Sequence, residues 1–105
     1  MPARNIPAAS FDSQVLHSSL PVLVDFWQPG CPPCAKVGPI IDELADEFAG
    51  VVKVCKVNIA EDPSIARQLG IRSVPTVMLL VGGQLVQSLQ GAQTAGVYRR
   101  MVRRG

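Results

Sequence analysis

The stretch that decides the fold runs Val22-Leu23-Val24-Asp25-Phe26-Trp27-Gln28-Pro29-Gly30-Cys31-Pro32-Pro33-Cys34. Its first six residues are almost continuously apolar, which is typical of a β-strand buried on both faces. Pro29 and Gly30 end this strand, and apolar residues recur at spacings of three and four after Cys34, which predicts a helix. The stretch therefore predicts a strand, a short turn and a helix, with two cysteines at the junction.

The remaining elements are predicted from hydrophobic periodicity and from glycine and proline stops. In chain order, we expect a helix over 11–18 capped by Ser10, a strand over 51–59, a helix over 63–69, a strand over 76–81, a two-residue turn at Gly82-Gly83, a strand over 85–89 and a last helix from 93 or 94. Strands that alternate with helices imply a parallel sheet, and the last hairpin adds an antiparallel edge. The predicted fold class is therefore α/β with a mixed central sheet.

Length and composition limit the classes of protein to which the chain can belong. With 105 residues it has room for one domain, which we expect to span 1–105, and too few for two. The net charge of +2 is too small to indicate nucleic acid as a partner. No apolar run reaches the ~20 residues of a membrane span, and segment 1–11 lacks the apolar core of a secretory signal. Three cysteines are an odd number, which favours a reducing, cytoplasmic setting.

The spacing of Cys31 and Cys34 allows a small disulfide to close and reopen, which points to thiol–disulfide exchange. Exchange requires a thiolate, and the unpaired N–H groups and the macrodipole at a helix N-terminus stabilise negative charge. Cys31 lies at the junction of strand and helix, so we expect it to be the attacking sulfur. Cys34 lies one turn into the helix, so we expect it to be more buried and to resolve the mixed disulfide.

A single Cys-X-X-Cys motif also occurs as half of a zinc site. Zinc would need further cysteine or histidine ligands, and only Cys55 and His17 remain, both in predicted regular structure. We therefore expect no metal and no cofactor beyond the Cys31–Cys34 disulfide. Cys55 is interpreted as a core thiol, on the strand face opposite Lys56.

Asp25 is the second candidate functional residue. An acid in a buried strand is costly unless it has a partner or stays protonated. It precedes Cys31 by six residues, which places it at a depth suited to accepting a proton from Cys34. The alternative is an acid at the strand edge that faces solvent.

Over nearly its whole length the chain resembles the thioredoxin family. The matching segments are Val24-Asp25-Phe26-Trp27, Cys31-Pro32-Pro33-Cys34-Ala35-Lys36, Pro39, Lys56-Val57-Asn58-Ile59, Gly70-Ile71-Arg72-Ser73-Val74-Pro75-Thr76, Gly82-Gly83 and Gly91. The resemblance implies a thioredoxin fold, with helices on both faces of a mixed sheet.

The resemblance also implies roles for single residues. Cys31 matches the nucleophile, Cys34 the resolving cysteine, Asp25 the buried acid that assists proton transfer, and Lys56 the lysine near it. Pro75 matches a cis-proline beside the disulfide. The alternatives are a solvated charge at the strand end for Lys56 and an ordinary strand-initiating proline for Pro75.

Substrate contacts follow from the same resemblance. An extended substrate would pair with the backbone around Val74-Pro75 and lie against the loop at Gly91-Ala92. The residues expected to contact it are Trp27, Gly30, Pro32, Val74, Pro75, Gly91 and Ala92.

Two positions depart from the family's usual Trp-Cys-Gly-Pro-Cys. Gly30 replaces the tryptophan, which removes an apolar rim from the docking surface. Pro32 replaces the glycine, which removes a backbone N–H close to the Cys31 sulfur. We hypothesise that Pro32 makes the Cys31 thiolate less stable.

The expected function is reduction of protein disulfides through Cys31 and Cys34. The partners expected are protein disulfides and, as electron donor, a thioredoxin reductase, and the chain is expected to be a monomer. One alternative is the same chemistry as a specialised oxidase, an isomerase or a reductase of one partner. Another is a binding module with weak redox activity, which the substitutions at Gly30 and Pro32 leave open.

Overall fold

A five-stranded mixed sheet forms the centre of the computed structural model, which describes residues 2–104. The strands are β1 Arg4–Asn5, β2 Val22–Trp27, β3 Lys53–Asn58, β4 Thr76–Val81 and β5 Gln84–Gln90. The α-helices are α1 Pro32–Glu47, α2 Pro63–Leu69 and α3 Ala95–Arg104. The order of strands across the sheet is β1-β3-β2-β4-β5.

The sheet is mixed, with a parallel core and an antiparallel C-terminal hairpin, as predicted, but β4 follows α2 and still runs antiparallel to β2, which the alternation of strands and helices did not predict. β1, β3 and β2 run parallel, and β4 pairs antiparallel with both β2 and β5. β1 was not predicted, because two residues are too few to show an alternation of apolar and polar side chains. It is joined to β3 by its pairing and by the Ile6 N–H, which donates to the Lys56 carbonyl at 2.9 Å.

Two apolar clusters cover the two faces of the sheet. Because side chains alternate along a strand, Leu23 of β2 belongs to the cluster under α1 and α3, whereas Val24 belongs to the cluster under α2 and the N-terminal turns. The helices therefore lie on both faces, as the resemblance implied. The same alternation places Asp25 on the face that α1 covers.

The prediction of one helix over 11–18 with Ser10 as its cap is wrong, because this segment forms two short turns instead. A 3-10 turn spans Ala8–Ser10 and a π-helical turn spans Asp12–Leu16, so Ser10 lies inside a turn and caps no helix. The π-turn closes through a bond from the His17 N–H to the Asp12 carbonyl, five residues back, which a 3.6-residue pattern does not anticipate. Phe11 and Val15 are buried, as predicted.

The other helices lie close to their predicted bounds. α2 spans the predicted residues: the Asp62 carboxylate caps its first turn by accepting from the Ser64 N–H at 3.0 Å, and Gly70 ends it with a φ of +70°. α1 begins at Pro32 and ends at Glu47, before the Gly50 expected to stop it. Thr94 precedes α3 and accepts from the Val97 N–H.

The predicted Gly82-Gly83 turn joins β4 to β5. Both glycines have positive φ, +59° and +79°, as a tight two-residue hairpin turn requires. They differ in their surroundings. A Cβ atom on Gly83 would lie 2.7 Å from the Leu16 carbonyl oxygen, whereas a Cβ atom on Gly82 would meet nothing within 4 Å.

Replacing Gly83 by alanine should therefore destabilise the protein more than replacing Gly82. We expect about 1 kcal/mol for Gly82→Ala, from positive φ alone, and about 3 kcal/mol for Gly83→Ala, where a backbone contact adds to it. Urea denaturation of the two variants measures both free energies of unfolding. Equal losses would show that Leu16 does not constrain the turn.

Candidate active site

Cys31 is the N-cap residue of α1. Its backbone is extended, with φ of −110° and ψ of 102°, and its sulfur accepts a hydrogen bond from the Cys34 N–H at 3.2 Å. Sulfur thus occupies the place that a serine or threonine oxygen usually takes at a helix N-terminus. Pro32 and Pro33 fill the first two helical positions, where the missing N–H groups have no intrahelical partners to lose. The Cys34 N–H is the donor that this arrangement leaves for the sulfur.

Cys31 and Cys34 are joined by a disulfide, with their Cα atoms 5.2 Å apart. Cys31 is half-buried and Cys34 is buried, as expected from their places in the helix. The Cys31 sulfur also lies 3.8 Å from the Val74 carbonyl oxygen. One sulfur of the pair is therefore reachable from outside, and the other lies beneath it.

Asp25 is buried in the sheet, with a side chain only 1% exposed, rather than at a solvent-facing edge. Its Oδ1 atom has no hydrogen-bond partner among the described residues. Burial raises the pKa of this carboxyl from 3.8 to about 7; the positive charge of Lys56 lowers it, and the negative charge of Asp42 raises it further. The group can therefore take up and release a proton near neutral pH.

Lys56 is the direct neighbour of Asp25 in the pairing of β2 with β3, and it lies on the same face of the sheet. Its ammonium does not pair with Asp25. It lies 2.9 Å from Asp42 Oδ1, and its side chain is 14% exposed, so it is not a freely solvated charge. Asp42 was missed in the sequence. The available signal was its spacing, because Cys34, Gly38 and Asp42 follow each other at four-residue steps along one face of α1.

A cavity of about 560 Å³ opens beside the disulfide. It is lined by both cysteines and by Asp25, Trp27, Gly30, Pro32 and Lys56. The Trp27 indole N–H donates to Asn5 Oδ1 at 3.0 Å, which ties this wall to β1. Gly30 has a φ of +75°, so a residue with a side chain would be strained at this position.

The second group of expected contact residues comes from two loops that meet near Cys31. The Val74–Pro75 peptide bond is cis. The Gly91 N–H donates to the Pro75 carbonyl at 2.8 Å, which brings the loop after β5 against this dipeptide. Ala92 follows and is exposed. Four of the predicted contact residues are thus gathered at one end of the sheet.

Cys55 and His17 lie apart from this site. Cys55 is a buried thiol in the apolar cluster on the opposite face of the sheet, and burial raises its pKa to about 12. His17 is exposed and contacts Asp12. Within residues 2–104, no three histidine, cysteine, aspartate or glutamate side chains are grouped so that they could hold a metal ion. In the same range, no helix is both long and apolar enough to cross a membrane.

A mixed α/β sheet with a disulfide at the junction of its central strand and the next helix defines a thiol–disulfide oxidoreductase. The chain belongs to the thioredoxin family, because the family model described as Thioredoxin matches residues 3–104. Its fold is accordingly the thioredoxin fold.

Individual relatives are similar over most of the chain. It is 51% identical to "Thioredoxin 1" of Synechococcus elongatus over 90 residues, which is 86% of this chain and 84% of the relative. It is 54% identical to "Thioredoxin" of a Synechocystis species over 84 residues, covering 80% and 78% of the two chains. It is 46% identical to "Thioredoxin" of Haemophilus influenzae over 88 residues, covering 84% and 82%. Membership of this family implies protein disulfides as substrates.

Proposed function

We propose that the chain works as a reductant of protein disulfides, with Cys31 as nucleophile and Cys34 as resolving cysteine. The observation that carries the proposal is the Cys31 sulfur at the N-cap of α1. It is half-exposed and accepts the Cys34 N–H, while the Cys34 sulfur is buried behind it. This donor and the helix N-terminus would stabilise a thiolate on Cys31 once the disulfide is reduced.

The reaction has two exchanges. The Cys31 thiolate attacks one sulfur of the substrate disulfide; a Cys31–substrate disulfide forms, and the other substrate sulfur leaves as a thiolate. Cys34 then loses its proton and attacks the Cys31 sulfur. The Cys31–Cys34 disulfide closes, and the second substrate sulfur is released and protonated. Two electrons pass from the protein to the substrate, which leaves as a dithiol.

Asp25 is proposed to accept the proton from Cys34. Both residues line the same cavity, and a carboxyl with a pKa of about 7 matches the requirement for proton exchange at neutral pH. The cavity is large enough for a water molecule to carry the proton between them. Lys56 is proposed to assist by favouring the charged form of Asp25.

Substrate docking is proposed for the surface around Cys31. The Val74 backbone beside the sulfur can pair with an extended segment, and Gly91 and Ala92 would form the adjoining wall over Pro75, which is buried and holds the Gly91 N–H through its carbonyl. On the cavity side, substrates would contact the expected residues, which are Trp27, Gly30 and Pro32. Because Gly30 has no side chain, this rim lacks the indole that the family's usual motif would supply.

The broader setting is also proposed. We infer that the chain acts as one domain and a monomer in the cytoplasm and uses no cofactor beyond its own disulfide. A thioredoxin reductase would supply its electrons. The family membership and the single redox pair at the surface support this setting.

Reduction of insulin by dithiothreitol tests the proposal. The wild-type chain should accelerate insulin precipitation severalfold over dithiothreitol alone, and Cys55→Ala should match it, because Cys55 lies on the far face of the sheet. A wild-type rate no faster than dithiothreitol alone would favour a binding module.

Replacing Pro32 by glycine should stabilise the Cys31 thiolate. The substitution restores a backbone N–H at the first helical position, beside a sulfur that now accepts the Cys34 N–H. The midpoint of the thiolate absorbance in a pH titration of the reduced protein should fall by roughly half a unit to one unit, the equivalent of one hydrogen bond.

Pro32→Ala is the matched control, because it restores the same N–H without the flexibility of glycine. The two variants should agree. A fall in the glycine variant alone would assign the effect to flexibility, and a rise in both would contradict the role given to the N–H.

A further inference from the structure

We propose that Asp42 is a positioning residue that holds the Lys56 ammonium away from Asp25 and so leaves Asp25 free to exchange a proton with Cys34. The proposal deepens the proposed function, because it rests on Asp25 as the proton acceptor for Cys34. It assigns a role to an acid on α1 that does not line the cavity beside the disulfide.

The Asp42 carboxylate is held from two sides. Its Oδ1 atom lies 2.9 Å from the Lys56 Nζ atom and accepts the Ala3 N–H at 3.1 Å. Ala3 is itself buried in the apolar cluster under α1, so this donor is fixed by packing. Because the buried Ala3 N–H already holds this oxygen, the Asp42 carboxylate offers the lysine a defined place rather than a transient contact.

A second acid, Asp25, lies beside Lys56 in the sheet. Lys56 is the register neighbour of Asp25 and points to the same face, yet Asp25 Oδ1 has no partner among the described residues. A direct ion pair would hold Asp25 as a carboxylate and make it a poor proton acceptor. With the ammonium on Asp42, the buried Asp25 is left free to be protonated or ionised.

Titratable groups from three elements surround Asp25. On the face that α1 covers they are Lys56 on β3, Cys34 and Asp42 on α1, and Tyr98 on α3, while Cys55 on β3 lies on the opposite face. The opposite neighbour on β4, Val77, is apolar. Burial raises the pKa of the Cys55 thiol and that of the Tyr98 hydroxyl, so both are neutral at neutral pH. Lys56 and Asp42 therefore supply the charges that act on Asp25, with opposite signs.

Because the two charges have opposite signs, removing each one should shift the midpoint of the Asp25 titration in the opposite direction. Asp42→Asn removes a negative charge and weakens the hold on Lys56, while the amide oxygen still accepts the Ala3 N–H. Asp25 should then ionise at a pH lower by about one unit. Lys56→Met should have the opposite effect and raise the midpoint. Asp42→Glu keeps the charge and should restore a midpoint close to that of the wild type.

The experiment is a carbon-13 NMR titration of the Asp25 side-chain carboxyl in the full reduced chain. Glu43→Gln is the matched control, since it removes a charge from an exposed neighbour on the same helix and should leave the midpoint in place. An unchanged or higher midpoint in Asp42→Asn overturns the proposal. If that variant does not fold, a midpoint in Lys56→Met that fails to rise overturns it.

The readout separates this proposal from the proposed function. The titration of Asp25 does not depend on turnover, so a wild-type chain that fails to reduce insulin would refute the reductase while the shift in Asp42→Asn still stood. Conversely, normal insulin reduction with an unmoved midpoint in Asp42→Asn would refute the positioning role alone. If the role of Asp42 were purely structural, Asp42→Asn would lower the melting temperature without moving the midpoint of the Asp25 titration.

Discussion

Replacing Cys34 by serine is expected to stop turnover and to trap the chain as a mixed disulfide with its substrate. Cys31 keeps its place at the N-cap of α1 and can still attack. The serine hydroxyl cannot displace the substrate sulfur, because its oxygen forms no disulfide. Incubation of the reduced variant with insulin, followed by mass spectrometry without reductant, should show an adduct that dithiothreitol releases.

The controls for this experiment are the two other cysteines. Cys31→Ser should form no adduct and should have no activity above dithiothreitol alone. Cys55→Ala should turn over like the wild type, because this thiol is buried on the opposite face. An adduct through Cys34 in the Cys31→Ser variant, with none in Cys34→Ser, would reverse the two roles.

Replacing Asp25 by asparagine is expected to stabilise the protein at alkaline pH. The folded-state pKa of Asp25 is raised from 3.8 to about 7, so the folded protein binds this proton more tightly than the unfolded chain. The stability that this proton contributes is therefore greatest below about pH 4, is lost as the pH rises through 7, and is absent above it. The full difference is roughly 4 kcal/mol, from about three pKa units at 1.36 kcal/mol each.

Urea denaturation of the oxidised wild type and Asp25→Asn at pH 4 and pH 9 measures this effect. The variant should gain up to about 4 kcal/mol over the wild type between the two pH values. In turnover, the variant should also lose the rise of rate through pH 7 that ionisation of Asp25 supplies. A stability difference that is the same at both pH values would show that Asp25 titrates alike in the folded and unfolded protein.

The centre of the fold was predictable because local signals and tertiary packing agree there. The apolar run of β2 predicts a buried strand, and the spacing of three and four in α1 predicts a helix, without knowledge of the rest of the chain. α2 was predicted with its bounds, since Asp62 and Gly70 act on the backbone within one turn. The Gly82-Gly83 turn was likewise a local property, set by two residues that tolerate positive φ.

What the sequence did not reveal depends on contacts between distant segments. β1 exists because Arg4 and Asn5 pair with β3, and nothing in a two-residue segment marks that. The partner of Lys56 depends on which stripe of α1 faces the sheet, so Asp42 could be recognised only once helix and strand were packed. The π-turn after Phe11 is set by packing as well, because its apolar residues fit an ordinary helix equally well.

The active site shows the same division. Both cysteines and the burial of Asp25 followed from the pattern of one strand and one helix. The meeting of Gly91 with Pro75 did not, since it continues the β4–β5 ladder past the Thr76–Gln90 pair in a register that an irregularity at Leu79 and Leu80 has shifted. The family resemblance, rather than the residues themselves, pointed to these two loops.

The reduction potential of the Cys31–Cys34 pair tests the central claim most directly, because it decides whether the pair gives or takes electrons. The measurement is the fraction of dithiol by mass spectrometry after equilibration in dithiothreitol buffers of graded composition. A protein-disulfide reductase should have a midpoint more negative than about −220 mV, at or below the cytosolic glutathione poise. A midpoint between about −120 and −180 mV, which is typical of dedicated oxidases and isomerases, would contradict the assignment of the pair as a reductant.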